Sequence, residues 1–354
     1  CYDDNQFRRF VVEAFVVAQG QPVLIDRFLE DAIEVDVDCI SDGQDAVIAG
    51  IMQHIEEAGV HSGDSACALP PYSLSQPVLD EIKQATLALA RRLNVVGLMN
   101  IQFAVKTEAG QSSVYVLEVN PRASRTVPFV AKATGKPIAR IASKVMVGQS
   151  LAQQGVSEVP IPRTVSVKES VFPFRKFIGV DVALGPEMRS TGEVMGSSPR
   201  FSIAYAKSLL AAGIILPQSG RVFVSVADRA KERAVRIARD LHELGFEIMA
   251  TSGTAACLEE AGIPVERVKK LVEGHPNLID HLKNETVDMI CNTPKGKGAR
   301  TDEGKIRAAA VQNGVPCITT IEGAETVVMA IKALRKEDLQ VESLQERFEM
   351  NAIG

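Results

Sequence analysis

Leu98-Met99-Asn100-Ile101-Gln102-Phe103-Ala104-Val105-Lys106, followed after a short polar gap by Val114-Tyr115-Val116-Leu117-Glu118-Val119 and then Asn120-Pro121-Arg122, decides how the first half of this chain is read. Both runs are rich in β-branched and apolar residues and read as strands. If they pair, Gln102, Glu118 and Asn120 converge on one face, because residues two apart along a strand point the same way. One carboxylate with two amide oxygens is a hard, oxygen-only set. It suits Mg²⁺ or Mn²⁺ bound together with nucleotide phosphates. Arg122 and Arg125 add positive charge where a transferring phosphoryl group needs it.

Outward from these strands, 6–18 (QFRRFVVEAFVVA) has helical spacing. The runs Val23–Phe28, Ile33–Ser41 and Ala46–His54 read as strands. Ile33-Glu34-Val35-Asp36-Val37-Asp38 alternates apolar and acidic residues, the period of a half-buried strand. A Gly- and Pro-punctuated loop covers 59–72, and Ser75 opens a helix to about Asn94. Many strands with few crossover helices imply an α+β layer on an antiparallel sheet. From about 214 the texture changes. Val222–Ala227, Glu247–Ala250, Val287–Asn292 and Pro316–Thr319 alternate with helical stretches 229–244, 254–261, 303–313 and 322–335. That order predicts βαβ units on a parallel sheet. Gly185–Gly196 and Gly213–Gly220 read as connectors, which places the domain boundary near 213.

The size agrees with two domains: 354 residues, 46% of them hydrophobic. A net charge of -5 provides no general field for nucleic acid. The six cysteines, Cys1, Cys39, Cys67, Cys257, Cys291 and Cys317, form no C-x-x-C pair or His/Cys cluster. Scattered on apolar runs, they read as buried and reduced, which favours the cytoplasm. No apolar run reaches the roughly 20 residues of a membrane span. The chain starts at Cys1 within a helical stretch and reads as a fragment.

In the second half, Ala250-Thr251-Ser252-Gly253-Thr254 lies between a strand and a helix. Such a turn offers hydroxyls and free backbone N–H groups to an anion, or simply caps the helix. Lys231 and Lys270 supply charge for the first reading. Asn292-Thr293 ends another strand, where ligands of open α/β sheets bind.

The string EVNPRASRTVPF over Glu118–Phe129, with GLMNIQF before it, AGVHSGDS at 58–65 and GPEMRSTGEVMG at 185–196, resembles the second ATP-grasp unit of carbamoyl-phosphate synthase large subunits. The segment 214–354 is similar to the methylglyoxal-synthase-like domain that ends these proteins. The resemblance covers essentially the whole chain. It implies a partial ATP-grasp domain with an antiparallel sheet over 1–213, connector included. A Rossmann-like parallel-sheet allosteric domain follows over 214–354.

The resemblance then assigns roles. Gln102, Glu118 and Asn120 match metal-binding positions, with two Mg²⁺ or Mn²⁺ per ATP and K⁺ as a further ion. Leu29 matches the hinge residue at the adenine, Glu34 the carboxylate at the ribose, and Val60, His61 and Ser62 the loop beside the nucleotide. His61 is read as a hydrogen-bonding residue rather than a general base, because phosphoryl transfer needs positioning and charge neutralisation above all. The implied reaction is ATP-dependent phosphorylation of carbamate to carbamoyl phosphate. It serves arginine and pyrimidine biosynthesis, with a glutaminase small subunit as partner in a higher oligomer. Lys231, Thr251, Thr254, Lys270 and Asn292 match the contacts of a nucleotide effector, UMP or IMP. Pro294 and the KGKGAR stretch at 295–300 depart from relatives and leave its identity open. Glu56, Asp64, Glu169 and Thr319 match the contacts of ornithine. Two alternatives are a methylglyoxal synthase-like lyase using Asp228, and a nucleotide-sensing fragment without catalysis. Neither nucleic acid nor membrane is expected as a partner.

Overall fold

The computed structural model describes residues 4–177, 179–293 and 301–352, and side chains as far as 348. Cys1, Pro294 and the 295–300 stretch lie outside the described residues. The chain divides into a unit of Cys1–Glu30 and a unit of Asp31–Gly354. The first holds helix α1 (Asp4–Ala18), none of whose residues is buried. Val23–Phe28 was expected as a strand and forms none. An extended run becomes a strand only where a partner accepts its N–H and C=O groups, and this stretch pairs with none of the described strands.

In the second unit, β1 (Ile33–Asp42), β2 (Ala46–Glu57), β3 (Cys67–Leu69), α2 (Gln76–Arg92), β4 (Val96–Glu108), β5 (Gln111–Asn120), α3 (Val127–Thr134), α4 (Ile138–Met146), β6 (Val165–Val171), β7 (Gly192–Ser198) and α5 (Phe201–Ala211) come first. Their seven strands form one antiparallel sheet, ordered β5-β4-β1-β2-β3-β6-β7. Then follow β8 (Arg221–Ser225), α6 (Lys231–Glu243), β9 (Glu247–Thr251), α7 (Ser252–Glu260), β10 (Val265–Val268), α8 (Leu278–Lys283), β11 (Met289–Asn292), α9 (Asp302–Gln312), β12 (Cys317–Ile318), α10 (Ile321–Leu334) and α11 (Leu344–Ala352). Their five strands form a parallel sheet, ordered β10-β9-β8-β11-β12. The two sheet types are those read from the sequence. The expected connector Gly185–Gly196 is corrected: from Gly192 it is strand β7, paired along β6.

Alternation on β1 and β4 sets the two faces of the antiparallel sheet. Val35, Val37, Ile101 and Phe103 pack on Val78 and Ile82 of α2. On the other face, Ile40, Met52 and Cys67 pack on α3 and α4. In the parallel sheet, Phe223, Met249 and Ile290 pack on α8 and α9, while Val222, Val224 and Ile248 pack on α6, α7 and α10. Burial of both faces is what a parallel sheet requires. The core under α10 also takes in Ile55, Ala68 and Val167 of the antiparallel sheet and Ala204 and Leu209 of α5.

Candidate functional site

β4 and β5 pair with Gln102 directly opposite Glu118 and Asn100 opposite Asn120. β1 flanks β4 on its other side, with Asp36 opposite Gln102 and Asp38 opposite Asn100. The expected convergence of Gln102, Glu118 and Asn120 is therefore present, with Glu118 exposed and the two amides half-buried or nearly so. The side-chain nitrogen Nε2 of Gln102 donates to Ser62 Oγ at 3.0 Å, which identifies the other terminal atom, Oε1, as the acceptor of that amide.

That bond fastens the 58–65 loop onto the strands, and a second bond, from Gly59 N–H to Glu34 Oε2 at 3.4 Å, fastens it to β1. Glu34, Val60, His61, Ser62, Gln102 and Glu118 are thus gathered at one place. His61 is held by both its backbone and its ring. Its N–H donates to Gly185 O at 2.8 Å, and its Nδ1 accepts from Gly63 N–H at 2.9 Å. Arg125 lies against Gly63 of the same loop and against Met188 of the segment before β7. Arg122 is exposed, its Nη1 donating to Ala123 O at 3.0 Å. Leu29 belongs to the first unit and is half-buried there.

The half-buried reading of Ile33–Asp38 needs correction. Its carboxylates do not face solvent: Glu34, Asp36 and Asp38 are 4%, 2% and 1% exposed. The 58–65 loop and the turn after β5 cover them. Asp38 accepts from Asn100 Nδ2 at 2.9 Å and from the Ser124 and Thr126 hydroxyls at 2.7 Å each. It therefore pins the turn that carries Arg122 and Arg125. Burial pushes its pKa up to about 6, those three hydrogen bonds holding it down in part. Asp36 accepts from His54 Nε2 at 3.2 Å, with Glu34 at 4.0 Å from the other ring nitrogen. Burial opposes a charge on His54, but the bond to Asp36 and the two carboxylate charges outweigh it and raise its pKa. Burial also raises the pKa of Glu34. Lys168, 1% exposed, donates to Ser62 O at 3.2 Å. Asp36, Asp38, His54 and Lys168 were not singled out in the sequence. For the two aspartates the signal was there, since the β1 alternation puts them on the face of Glu34.

Glu56, Asp64, Glu169 and Thr319 line a single cavity of about 370 Å³, with Tyr205 and Leu209 on its apolar side. Glu56 accepts from Ser65 Oγ and Ala66 N–H at 2.8 and 2.7 Å. Glu169 Oε2 has no hydrogen-bond partner among the described residues. Burial first, and the Glu56 carboxylate second, push the Glu169 pKa up to about 8. A cation would relieve that pair. Asp64 is already committed, its two oxygens accepting from Arg189 N–H at 2.7 Å and Ser190 N–H at 2.8 Å.

At the C-terminal edge of the parallel sheet, Ser225 pairs in register with Asn292, and Val268 with Thr251. Lys231 Nζ lies 3.9 Å from where a Cβ on Gly253 would sit, at the first turn of α7. It pairs with Asp228 at 2.9 Å. Thr254 is buried and accepts from Val226 N–H at 3.4 Å. Lys270 is exposed just past β10. Lys231, Thr251, Thr254 and Asn292 thus belong to one edge, with a helix N-terminus facing it.

Among the described residues, no three His, Cys, Asp or Glu side chains are grouped as a metal site. The Gln102–Glu118–Asn120 set fits a different pattern, in which one carboxylate and neutral oxygens share an ion with substrate phosphates. Also among the described residues, no helix is long and apolar enough to cross a membrane.

Residues 1–154 match the family model "Carbamoyl-phosphate synthase L chain, ATP binding domain", and 233–319 match "MGS-like domain". The chain is 68% identical over 351 residues to the carbamoyl phosphate synthase large chain of Rhodopirellula baltica, covering 99% of this chain and 32% of that protein. It is 53% identical to those of Ralstonia nicotianae and Archaeoglobus fulgidus, covering 96% and 98% of this chain and 31% and 32% of theirs. The chain thus spans about a third of the length of the curated relatives it matches. Among solved structures, it is similar to a biotin carboxylase domain of a single-chain bacterial carboxylase, with TM-score 0.41 and 18% identity over 53% of this chain and 48% of that one. A thermophilic 2-oxoglutarate carboxylase domain gives TM-score 0.43 and 14% identity over 59% and 54%.

Proposed function

The chain belongs to the carbamoyl phosphate synthase large chain family, and on that premise we propose that the polar face of β1, β4 and β5 binds ATP for phosphoryl transfer to carbamate. The observation that carries this reading is the register pairing Gln102 with Glu118 while Ser62 binds the Gln102 amide. That places a hard oxygen set beside a loop already fastened to Glu34.

Gln102, Glu118 and Asn120 would hold Mg²⁺ or Mn²⁺. When bound, the ions neutralise phosphate charge and orient the triphosphate. Glu34 accepts from the ribose, and Val60 to Ser62 line the nucleotide. Arg122 and Arg125 attract the equatorial oxygens of the phosphoryl group as it leaves ADP and bonds to a carbamate oxygen, forming carbamoyl phosphate. K⁺ is a further ion of the proposal.

We divide the chain at 213 into this ATP-binding part and an MGS-like allosteric part, 214–354. The cavity between Glu56 and Thr319 takes ornithine, its ammonium groups meeting Glu56 and Glu169. The parallel-sheet edge takes UMP or IMP. In the whole enzyme, a cytoplasmic oligomer, ammonia comes from a glutaminase small subunit. The product feeds arginine and pyrimidine synthesis.

The test is Glu118→Gln in the full-length enzyme, which removes one charge without changing shape. Carbamoyl phosphate synthesis from carbamate and ATP is expected to fall on the order of a hundredfold, the scale of one lost electrostatic stabiliser. Near-normal turnover at saturating Mg²⁺ would rule the assignment out.

A further inference from the structure

Arg307, on α9, is the largest side chain fully shielded from solvent among the described residues, at 0% exposure. A guanidinium cannot shed its proton, so each donor needs a partner there. Nε and Nη2 grip both oxygens of Asp181, at 2.7 and 2.6 Å. Nη1 donates to Asn292 Oδ1 at 2.9 Å.

Two consequences follow from this geometry. Arginine only donates, so it fixes which way round the Asn292 amide lies. The oxygen faces Arg307, and Nδ2 is left as a donor at the end of β11. That nitrogen has no hydrogen-bond partner among the described residues, although Asn292 is 1% exposed. A buried donor without a partner is costly to keep, and it is matched by an acceptor oxygen on a ligand.

The second consequence concerns Asp181, which lies on the segment between β6 and β7 of the antiparallel sheet. Its carbonyl oxygen accepts from Arg189 Nη1 at 2.7 Å. The backbone N–H groups of Arg189 and Ser190 hold Asp64. Asp64 and Ser65 N–H both donate to His61 O, and His61 N–H donates to Gly185 O on the same segment. Hydrogen bonds therefore run from Asn292 through Arg307 and Asp181 to the Asp64 cavity and the His61 loop.

We propose that Arg307 is a positioning residue that turns Asn292 to offer a donor to a nucleotide oxygen and, through Asp181, transmits occupancy of that edge to Asp64 and His61. The proposal rests on the reading that a nucleoside monophosphate binds the parallel-sheet edge. A plain structural pin explains the geometry less well. A buried ion pair adds little stability over an apolar pair of the same volume, whereas a two-toothed charged grip fixes orientation.

The test uses this chain with UMP, IMP and ornithine, titrated by calorimetry singly and each in the presence of the other. Linkage requires nucleotide and ornithine to change each other's affinity by one common factor, on the order of fivefold or more. Asp181→Asn breaks the grip. The double variant Asp181→Leu/Arg307→Met removes both charges, so that no unpaired ion is buried. In both variants the mutual factor should fall to one and nucleotide binding should weaken roughly tenfold, the loss of one well-placed hydrogen bond. Ornithine binding alone should be unchanged. Folded variants that keep the mutual factor would overturn the proposal. So would failure of both variants to fold, which would make the grip a structural pin. Wild-type chain that binds neither UMP nor IMP would instead refute the underlying nucleotide reading.

Discussion

Asp38 shows how one buried carboxylate organises the phosphate end of the site. It touches no part of the proposed ATP contacts itself, yet its bonds from Ser124 and Thr126 hold the 120–126 turn in place, and a third from Asn100 ties it to β4. Its pKa rises from the ordinary 3.8 to about 6, chiefly through burial. Folding therefore favours its protonated form. Below pH 4 it is protonated folded or unfolded, and the folded state carries no penalty. Between pH 4 and 6 the unfolded chain releases the proton first, so stability falls as pH rises. The gap of about two pH units is worth about 3 kcal/mol. The stability of wild type relative to Asp38→Asn should drop by that amount from pH 4 to pH 7, read from denaturant melts at each pH. A constant difference would show that Asp38 is not buried as an ion. The face on which Asp38 lies was legible in the alternation of β1. Its burial was not, because the groups that cover it come from β4 and from 124–126.

At the scale of elements, the glycine ending GPEMRSTGEVMG has a packing reason. A Cβ on Gly196 would fall inside contact distance of Ala204 O and Ser208 N, and 2.8 Å from Lys207 Cβ. The backbone of α5 thus lies directly on β7, and only glycine admits it. Gly196→Ala should destabilise by roughly 3 kcal/mol, the upper end of overpacking costs, seen as a lower urea midpoint with unchanged slope. A smaller effect than Gly192→Ala, where a Cβ would meet nothing within 4 Å, would contradict this packing. β3 and β6 escaped sequence reading for related reasons. β3 has three residues, too few for a period. β6 breaks its alternation at Glu169, which is buried together with its neighbour Lys168.

At the scale of the molecule, the two sheets share a core. α10 packs on α6 within the parallel-sheet layer and also on α5 and β2. The residues of α5 that are buried include Ile203, Tyr205 and Leu209. Cutting the chain at 213 would therefore strip α10 of an apolar partner. Residues 199–354, which keep α5, should melt about 5 °C or more above residues 214–354, since 1 kcal/mol shifts a domain of this size by a few degrees. Equal midpoints would mean that α5 contributes nothing to the second layer. The same shared core puts Glu56 and Glu169 of the antiparallel sheet around a cavity with Thr319, just past β12.

The two sheet types were legible from the residues alone, because side-chain period and the order of strands and helices are local properties. The shared face of Gln102, Glu118 and Asn120 was legible in the same way, since strand alternation fixes a face once two strands pair. The burial of Glu34, Asp36 and Asp38, the failure of Val23–Phe28 to pair with any described strand, and the meeting of Arg307 with Asp181 and Asn292 follow from long-range packing. Each of those depends on which distant segment fills the space beside a residue. Burial, and with it the protonation and pairing of charged groups, is set by that neighbour and not by the residue's own place along the chain.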